Sequence, residues 1–220
     1  MTSKLKALLI TAHIKPALTV SVILSIVSFI YGYKSTEIFW VFLAILSGQF
    51  SIGLSNNYFD LKNDKKSGRT DKYILNGVLS KNFVIGLAVI LLIISTIASL
   101  LISLPAGLVH VAALIIGWAY NIYFKNTFLS LTMYMLAFGL IPIFAALLND
   151  IDVQWLVVLA FINLGGAVHI ADALSDYNYD NNSGIKGFVN TQSIRSNKQL
   201  LVFFSVVFLA LIALSIYIYT

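Results

Sequence analysis

The sequence predicts an all-α fold: a polytopic transmembrane bundle of about seven helices. Three observations carry that reading. Of 220 residues, 59% are hydrophobic and only 10% charged, with a mean hydropathy of +0.90. A water-soluble domain of this length needs far less apolar sequence. Uncharged runs of about 20 residues recur, the length that crosses a hydrocarbon core. The few charges that remain sort to one side of such a topology.

The spans are expected at roughly 16–33, 38–58, 82–103, 105–124, 128–148, 153–174 and 199–219. With the N-terminus inside, the inner segments hold Lys4, Lys6, Lys15, Lys62, Lys65, Lys66, Arg69, Lys72, Lys81, Lys125, Lys186, Arg195 and Lys198. The outer segments hold only Lys34. This is a strong positive-inside bias, and it places the N-terminus in the cytoplasm and the C-terminus outside a cell membrane. Trp40, Trp118, Trp155, Tyr123 and Tyr217 fall near span ends, where aromatic belts form. The net charge of +5 therefore reports topology rather than nucleic-acid binding. Lys4, Lys6 and Lys15 precede a first apolar run with no small-residue cleavage site, so no cleavable signal peptide is expected. Cysteine is absent, which excludes disulfides and thiolate metal sites. The chain, residues 1–220, is expected to form a single transmembrane domain embedded in the lipid bilayer.

Six of the nine acidic residues lie in two short stretches, one after the second span and one at the end of the sixth. Both are then on the cytoplasmic side. The first runs from Asn56 through Asp60 and Asp64 to Ser67-Gly68, and the second from Asp172 through Asp176 and Asp180 to Ser183-Gly184. Both read (Asn/Asp)-x-x-x-Asp-x-x-x-Asp-x-x-Ser-Gly, an internal repeat of a site. Residues four apart share a helix face about 6 Å apart along the axis, so each stretch projects a column of oxygen ligands from the end of a transmembrane helix. The glycine four residues after each last aspartate marks a helix end. A lone acidic loop is ordinarily just solvated; two matched ones on one side call for a ligand. Like charges at this spacing repel unless a cation is bound. Mg2+ suits such oxygens and commonly shares phosphate ligands, with Asn56, Asp60, Asp64, Asp172, Asp176 and Asp180 as the candidate metal set. The basic residues around the first column suit a polyphosphate. Taken singly, Lys65, Lys66, Lys72 and Lys81 read as topology determinants. Asn163 and Gln49, inside spans, read as helix–helix hydrogen bonds.

These residues resemble the UbiA superfamily of intramembrane prenyltransferases. Asn56, Asn57, Asp60 and Asp64 stand where that family has Asn-Asp-x-x-Asp-x-x-x-Asp. Gly68-Arg69-Thr70-Asp71-Lys72, with Gly77 and Ser80, is similar to the segment that follows. Asp176, Asp180 and Gly184 match the second motif, with Asp172 at a position that is often Asn. Tyr120 to Lys125 with Ser130 resembles the Tyr…Lys segment after the fourth helix, and His13-Ile14-Lys15-Pro16 is similar to the first-helix entry of some bacterial members. The resemblance implies a ring of helices around a central cavity, with aspartates at its cytoplasmic mouth and the isoprenoid tail inside. It implies Mg2+-dependent transfer of a prenyl group from a polyprenyl diphosphate to an aromatic or lipid-like acceptor. Asp60, Asp64, Asp176 and Asp180 would be catalytic, holding the metal and its diphosphate as a leaving group. Arg69 and Lys125 would contact the diphosphate, with Lys15 and Lys186 as lesser candidates. Tyr120 and Tyr58 would stabilise an allylic cation or, for either, serve as an interfacial anchor, Tyr58 the more so. His169, one turn before Asp172, would deprotonate the acceptor or serve as a plain hydrogen-bonding group. Asp71 is a further ligand or the partner of a Lys or Arg.

Two departures stand out. Asn57 replaces a usual Asp, keeping an oxygen but losing a charge, and Tyr73 stands where Pro is common. Family members usually have nine spans and this chain carries seven, so a second copy or a helper subunit is expected to close the ring. Alternatively the chain is a shortened, inactive relative. Two other functions stay open. One is a membrane protein that binds prenyl diphosphate without turnover, for binding or assembly. The other is a transporter, which fits less well because transporter sites lie near the midplane.

Overall fold

The computed structural model describes residues 3–184 and 186–219. Among them the regular structure is helical: α1 (Ser3–Thr11), α2 (Ile14–Ile30), α3 (Ser35–Phe59), α4 (Leu61–Lys66), α5 (Lys81–Ile102), α6 (Leu104–Ala119) with a π turn at Tyr120–Phe124, α7 (Ser130–Leu148), α8 (Trp155–Ser183), a 3-10 turn at Val189–Thr191, and α9 (Ile194–Tyr219). Among the described residues six helices are long and apolar enough to cross a membrane, and α1 with α2 form a further pair bent by 64°. This is a multi-pass membrane protein. The expected spans coincide with α2, α3 and α5–α9, and α8 runs on to residue 183 and carries the whole second acidic stretch, as its spacing predicts. Two differences are that the first span begins in an elbow and that the first acidic stretch is divided between α3 and α4.

The elbow has a local cause. A proline ring clashes with the carbonyl four residues earlier, so Pro16 prevents one helix from running through Ala12. The chain turns at His13, a non-glycine residue in the left-handed region (φ 56°, ψ 51°), and restarts with Pro16 in the first turn of α2. At the start of α3, the Glu37 carboxylate accepts the Lys34 N–H at 2.8 Å, satisfying a donor at the helix entry.

The helices group into two compact units, residues 1–114 and 115–220. Each is organised around the helix that bears an acidic stretch. In the first unit α3 contacts α1, α2, α4 and α5; in the second α8 contacts α7, α9 and the 3-10 turn. The most apolar windows of α3 and α8 are 50% and 39% buried, against 6–28% for the other spans, so these two are the inner helices.

In lipid there is no hydrophobic drive between helices, and close packing plus cross-helix hydrogen bonds take its place. Along α3, Ala44, Ser47, Gly48, Ser51 and Ser55 present a buried small-residue face. Ser51 Oγ donates to the Ala88 carbonyl of α5 at 2.8 Å, and Ser95 Oγ donates back to Ala44 at 2.7 Å. In α8 a glycine pair does the equivalent work. A Cβ at Gly165 would lie 2.7 Å from the Tyr134 carbonyl and 3.0 Å from Met135 Cα of α7, and one at Gly166 would lie 3.2 Å from the Phe204 ring of α9. Asn163, expected to bond across helices, instead donates to the Leu159 carbonyl of its own helix at 2.8 Å. A return bond within the helix is the shorter reach.

Candidate functional site

The first acidic column crosses a break. α3 ends at Phe59 and α4 begins at Leu61, but Asp60 between them keeps right-handed helical angles. The Asp60 N–H donates to the Asn56 carbonyl (3.0 Å) and the Asp64 N–H to the Asp60 carbonyl (2.9 Å), so the four-residue register survives. Asn56 is half-buried. Asp60 and Asp64 are only 7% and 6% exposed, and carboxylates are rarely so buried unless paired. Gly68 then turns the chain in the left-handed region, φ 73°, and the Arg69 N–H reaches back to the Asp64 carbonyl at 3.1 Å. This is the helix-ending turn that glycine favours.

The loop that follows folds its cations onto the column. Lys72 Nζ lies 3.6 Å from Asp64 Oδ2 and donates to Asn57 Oδ1 at 3.1 Å. Arg69 Nε lies 4.0 Å from Asp64 Oδ1. The Arg69 guanidinium donates through Nε and Nη2 to the two oxygens of Asp71, at 3.1 and 2.9 Å. That pairing holds the Asp71 carboxyl below the usual carboxylate range. Asp71 is thus the partner of Arg69, one of its two expected roles. Lys15 is exposed at the start of α2, and Tyr58 is half-buried with its ring edge-on to Phe59 at 5.2 Å.

The second column is unbroken. Asp172, Asp176 and Asp180 lie on α8, which ends at Gly184 with φ 78°. All three line one cleft with Tyr120, Lys125, Ser130, His169 and the loop Gly187–Asn190. Six of the expected site residues therefore share a single recess. Gly187 lets that loop close, since a Cβ there would lie 3.1 Å from the Lys125 carbonyl. Ser130 Oγ accepts the Phe188 N–H at 3.1 Å and sits 3.2 Å from His169 Nε2. His169 is 3% exposed, and its Nδ1 makes no hydrogen bond among the described residues. Lys186 is exposed in the loop after α8.

An aromatic group lies beside the cleft. The Tyr120 and Tyr134 rings meet edge-on at 5.0 Å, Tyr134 lies 4.8 Å from the His169 ring, and the Tyr134 hydroxyl donates to Asp172 Oδ2 at 3.4 Å. Tyr134 escaped the sequence reading because it sits inside an apolar span with no motif around it. Its place four residues after Ser130, on the same helix face, was the available signal. Lys72 was also missed as a site residue, being one lysine among several in a basic loop. Among the described residues no three His, Asp or Glu side chains converge on a ready-made metal site.

Comparison with known proteins fits this geometry. A solved structure, that of a UbiA homolog from Archaeoglobus fulgidus bound to DMAPP and Mg2+, is similar over 99% of this chain and 78% of that one, with a TM-score of 0.80 at 17% identity. At that identity the likeness shows the fold. A search of curated proteins finds no significant match. The sequence profile of the UbiA prenyltransferase family matches residues 20–220, nearly the whole chain. On the strength of that match, the protein belongs to the UbiA prenyltransferase family.

Proposed function

We propose that this protein transfers a prenyl group from a prenyl diphosphate to a lipid-like or aromatic acceptor within the membrane, with the chain working as one prenyltransferase-like domain. The observation that carries the reading is the cleft of the second unit. Three aspartates, one lysine, one histidine and a tyrosine line the same recess at the end of an apolar helix, in a chain of this family.

The donors present fit Mg2+. All are hard carboxylate or amide oxygens, two of the carboxylates are buried, and the spacing places like charges side by side. Mg2+ usually binds through one or two carboxylates, waters and substrate phosphates, so a closed protein cage is not required. Asn56, Asp60 and Asp64 in the first unit, and Asp172, Asp176 and Asp180 in the second, are the residues that would hold it, each column taken within its own unit. When bound, it would neutralise the diphosphate as it leaves.

The chain's own residues have separate tasks. Arg69 and Lys72 in the first unit, and Lys125 in the second, would each supply positive charge to phosphate oxygens bound at their own column. The C–O bond of the donor breaks with its electron pair going to diphosphate, and the allylic carbon bonds to the acceptor, which gives up a proton. Tyr120 and Tyr134 present aromatic faces and edges beside that carbon and help to exclude water. His169, whose Nδ1 makes no hydrogen bond among the described residues, would take the proton. By the distribution of Lys and Arg, the acidic columns face the cytoplasm.

Purified protein in lipid nanodiscs, given a radiolabelled prenyl diphosphate, Mg2+ and membrane lipid extract, should release diphosphate and label an extract component. Asp60→Asn and Asp176→Asn should each reduce release by at least 100-fold. Diphosphate release that neither substitution alters would defeat the reading. Tight binding with no release under any acceptor would support the binding-protein alternative.

A further inference from the structure

The side-chain amide of Asn57, one residue off the acidic column, has four polar neighbours within hydrogen-bonding distance. Its Nδ2 lies 3.0 Å from the Thr11 carbonyl, 2.9 Å from His13 Nε2 and 3.2 Å from the Gly53 carbonyl. Its Oδ1 accepts from Lys72 Nζ at 3.1 Å. The orientation of the amide follows from the partners: two carbonyl oxygens face one end and an ammonium faces the other, so the reverse assignment would oppose oxygen to carbonyls and N–H to Lys72. The residue is 6% exposed.

Two of the Nδ2 partners, Thr11 and His13, belong to the elbow between α1 and α2. The elbow is bent by 64° and held by His13 in the left-handed region, a conformation that costs a non-glycine residue free energy unless its surroundings enforce it. The enforcing contacts come from α3. The Ala12 carbonyl approaches so closely that a Cβ at Gly53 would lie 2.6 Å from it, and Asn57 bonds the residues on either side, Thr11 and His13.

We infer that Asn57 is a positioning residue, which latches the elbow to α3 and holds Lys72 against Asp64, and that it does not ligate the metal. A carboxylate at this position would lose both N–H donors, face two carbonyl oxygens, and bind Lys72 by charge. The departure at Asn57 thus exchanges a ligand for a latch. The role of Lys72 in this inference rests on the prenyl-transfer reading; the elbow latch does not.

The test exploits a chain with no cysteine. Ala12, 2% exposed in the elbow, is replaced in an Ala12→Cys background and labelled with a membrane-permeant maleimide in nanodiscs. Labelling should be slow in this background, and at least tenfold faster with Asn57→Asp or Asn57→Leu. Asn63→Asp, which adds the same charge away from the latch, should leave it slow. In parallel, diphosphate release from dimethylallyl diphosphate is measured against substrate and Mg2+. Asn57→Asp should raise KM at least fivefold while the Mg2+ concentration for half-maximal release stays within twofold. Lys72→Ala should raise KM with labelling still slow, which separates the two tasks because it removes the Oδ1 partner and keeps the Nδ2 contacts to the elbow. Equal labelling in all variants, or a half-maximal Mg2+ concentration that falls with Asn57→Asp, would overturn the inference. A wild-type protein that releases no diphosphate would count against prenyl transfer and the Lys72 role, while the labelling still decides the latch.

Discussion

The backbone N–H of Lys125 donates to the carbonyl of Tyr120, five residues earlier, at 2.8 Å. This is the closing bond of the π turn at Tyr120–Phe124. At the 3.6 residues per turn of an α-helix, a five-residue spacing would set the two side chains about 140° apart. The wider turn returns them to one face, and both line the cleft of the second unit. Single π turns of this kind are frequent at functional sites.

The π turn makes an expectation about chain length. Deleting Ile122 leaves a four-residue spacing that an ordinary α turn also places on one face. Prenyl diphosphate binding should then fall by less than tenfold. Inserting an alanine after Ile122 separates Tyr120 from Lys125 and should abolish binding. Equilibrium binding of a fluorescent prenyl diphosphate analogue distinguishes the two, and equal losses would contradict the account.

The two adjacent glycines of α8 should behave differently. A Cβ at Gly165 meets the backbone of α7, at Tyr134 and Met135, which cannot yield. A Cβ at Gly166 meets the Phe204 ring, which can rotate. Gly165→Ala should therefore destabilise by about 1–3 kcal/mol through overpacking, and Gly166→Ala by clearly less. Thermal unfolding in detergent, followed by tryptophan fluorescence, gives the ranking.

Ser130 is fully buried and joins His169 to the loop at Phe188. Ser130→Ala leaves the Phe188 N–H without its acceptor, at a cost of about 1–3 kcal/mol. Hydrogen exchange at Phe188 and its neighbours should accelerate, while exchange in the core of α5 stays unchanged. Unaltered protection at Phe188 would show that the bridge does not hold the loop.

Arg69 and Asp71 provide a pH expectation. The folded-state pKa of Asp71 is depressed from 3.8 by the Arg69 hydrogen bonds. The pair thus stabilises the loop fully above about pH 4 and progressively less as pH falls through the lower folded value. Asp71→Asn should increase proteolytic cleavage within residues 66–80 at pH 7, with wild type and variant converging toward pH 3. Asp71 is more than half exposed, so the effect should be small and reduced by salt.

What the sequence disclosed follows the range of the interactions. Gly68 and Gly184 could be placed as helix ends because a left-handed turn after a helix is a local demand that glycine meets best. The apolar spans were legible because a membrane imposes length on a single helix. The elbow at His13 had a local sign in Pro16, yet its geometry also depends on Asn57, 46 residues from Thr11. Lys72 reaches Asn57 across 15 residues, and no periodicity reports where a loop will fold back. Tyr134 meets Asp172 across 38 residues for the same reason. The columns themselves were visible, but the contacts of the amide beside them, to Thr11, His13 and Lys72, were not.

Each acidic stretch lies on or directly continues the most buried span of its unit, the second on α8 itself and the first running from α3 into α4. The proposed ligands are therefore carried on, or directly after, the element that most neighbours brace, and the more exposed helices of each unit act as outriggers. Such an arrangement lets the outer surfaces be retuned to a different membrane, or trimmed to admit a different tail, with little displacement of the oxygens. Chemistry and habitat are assigned to separate layers of the same small chain.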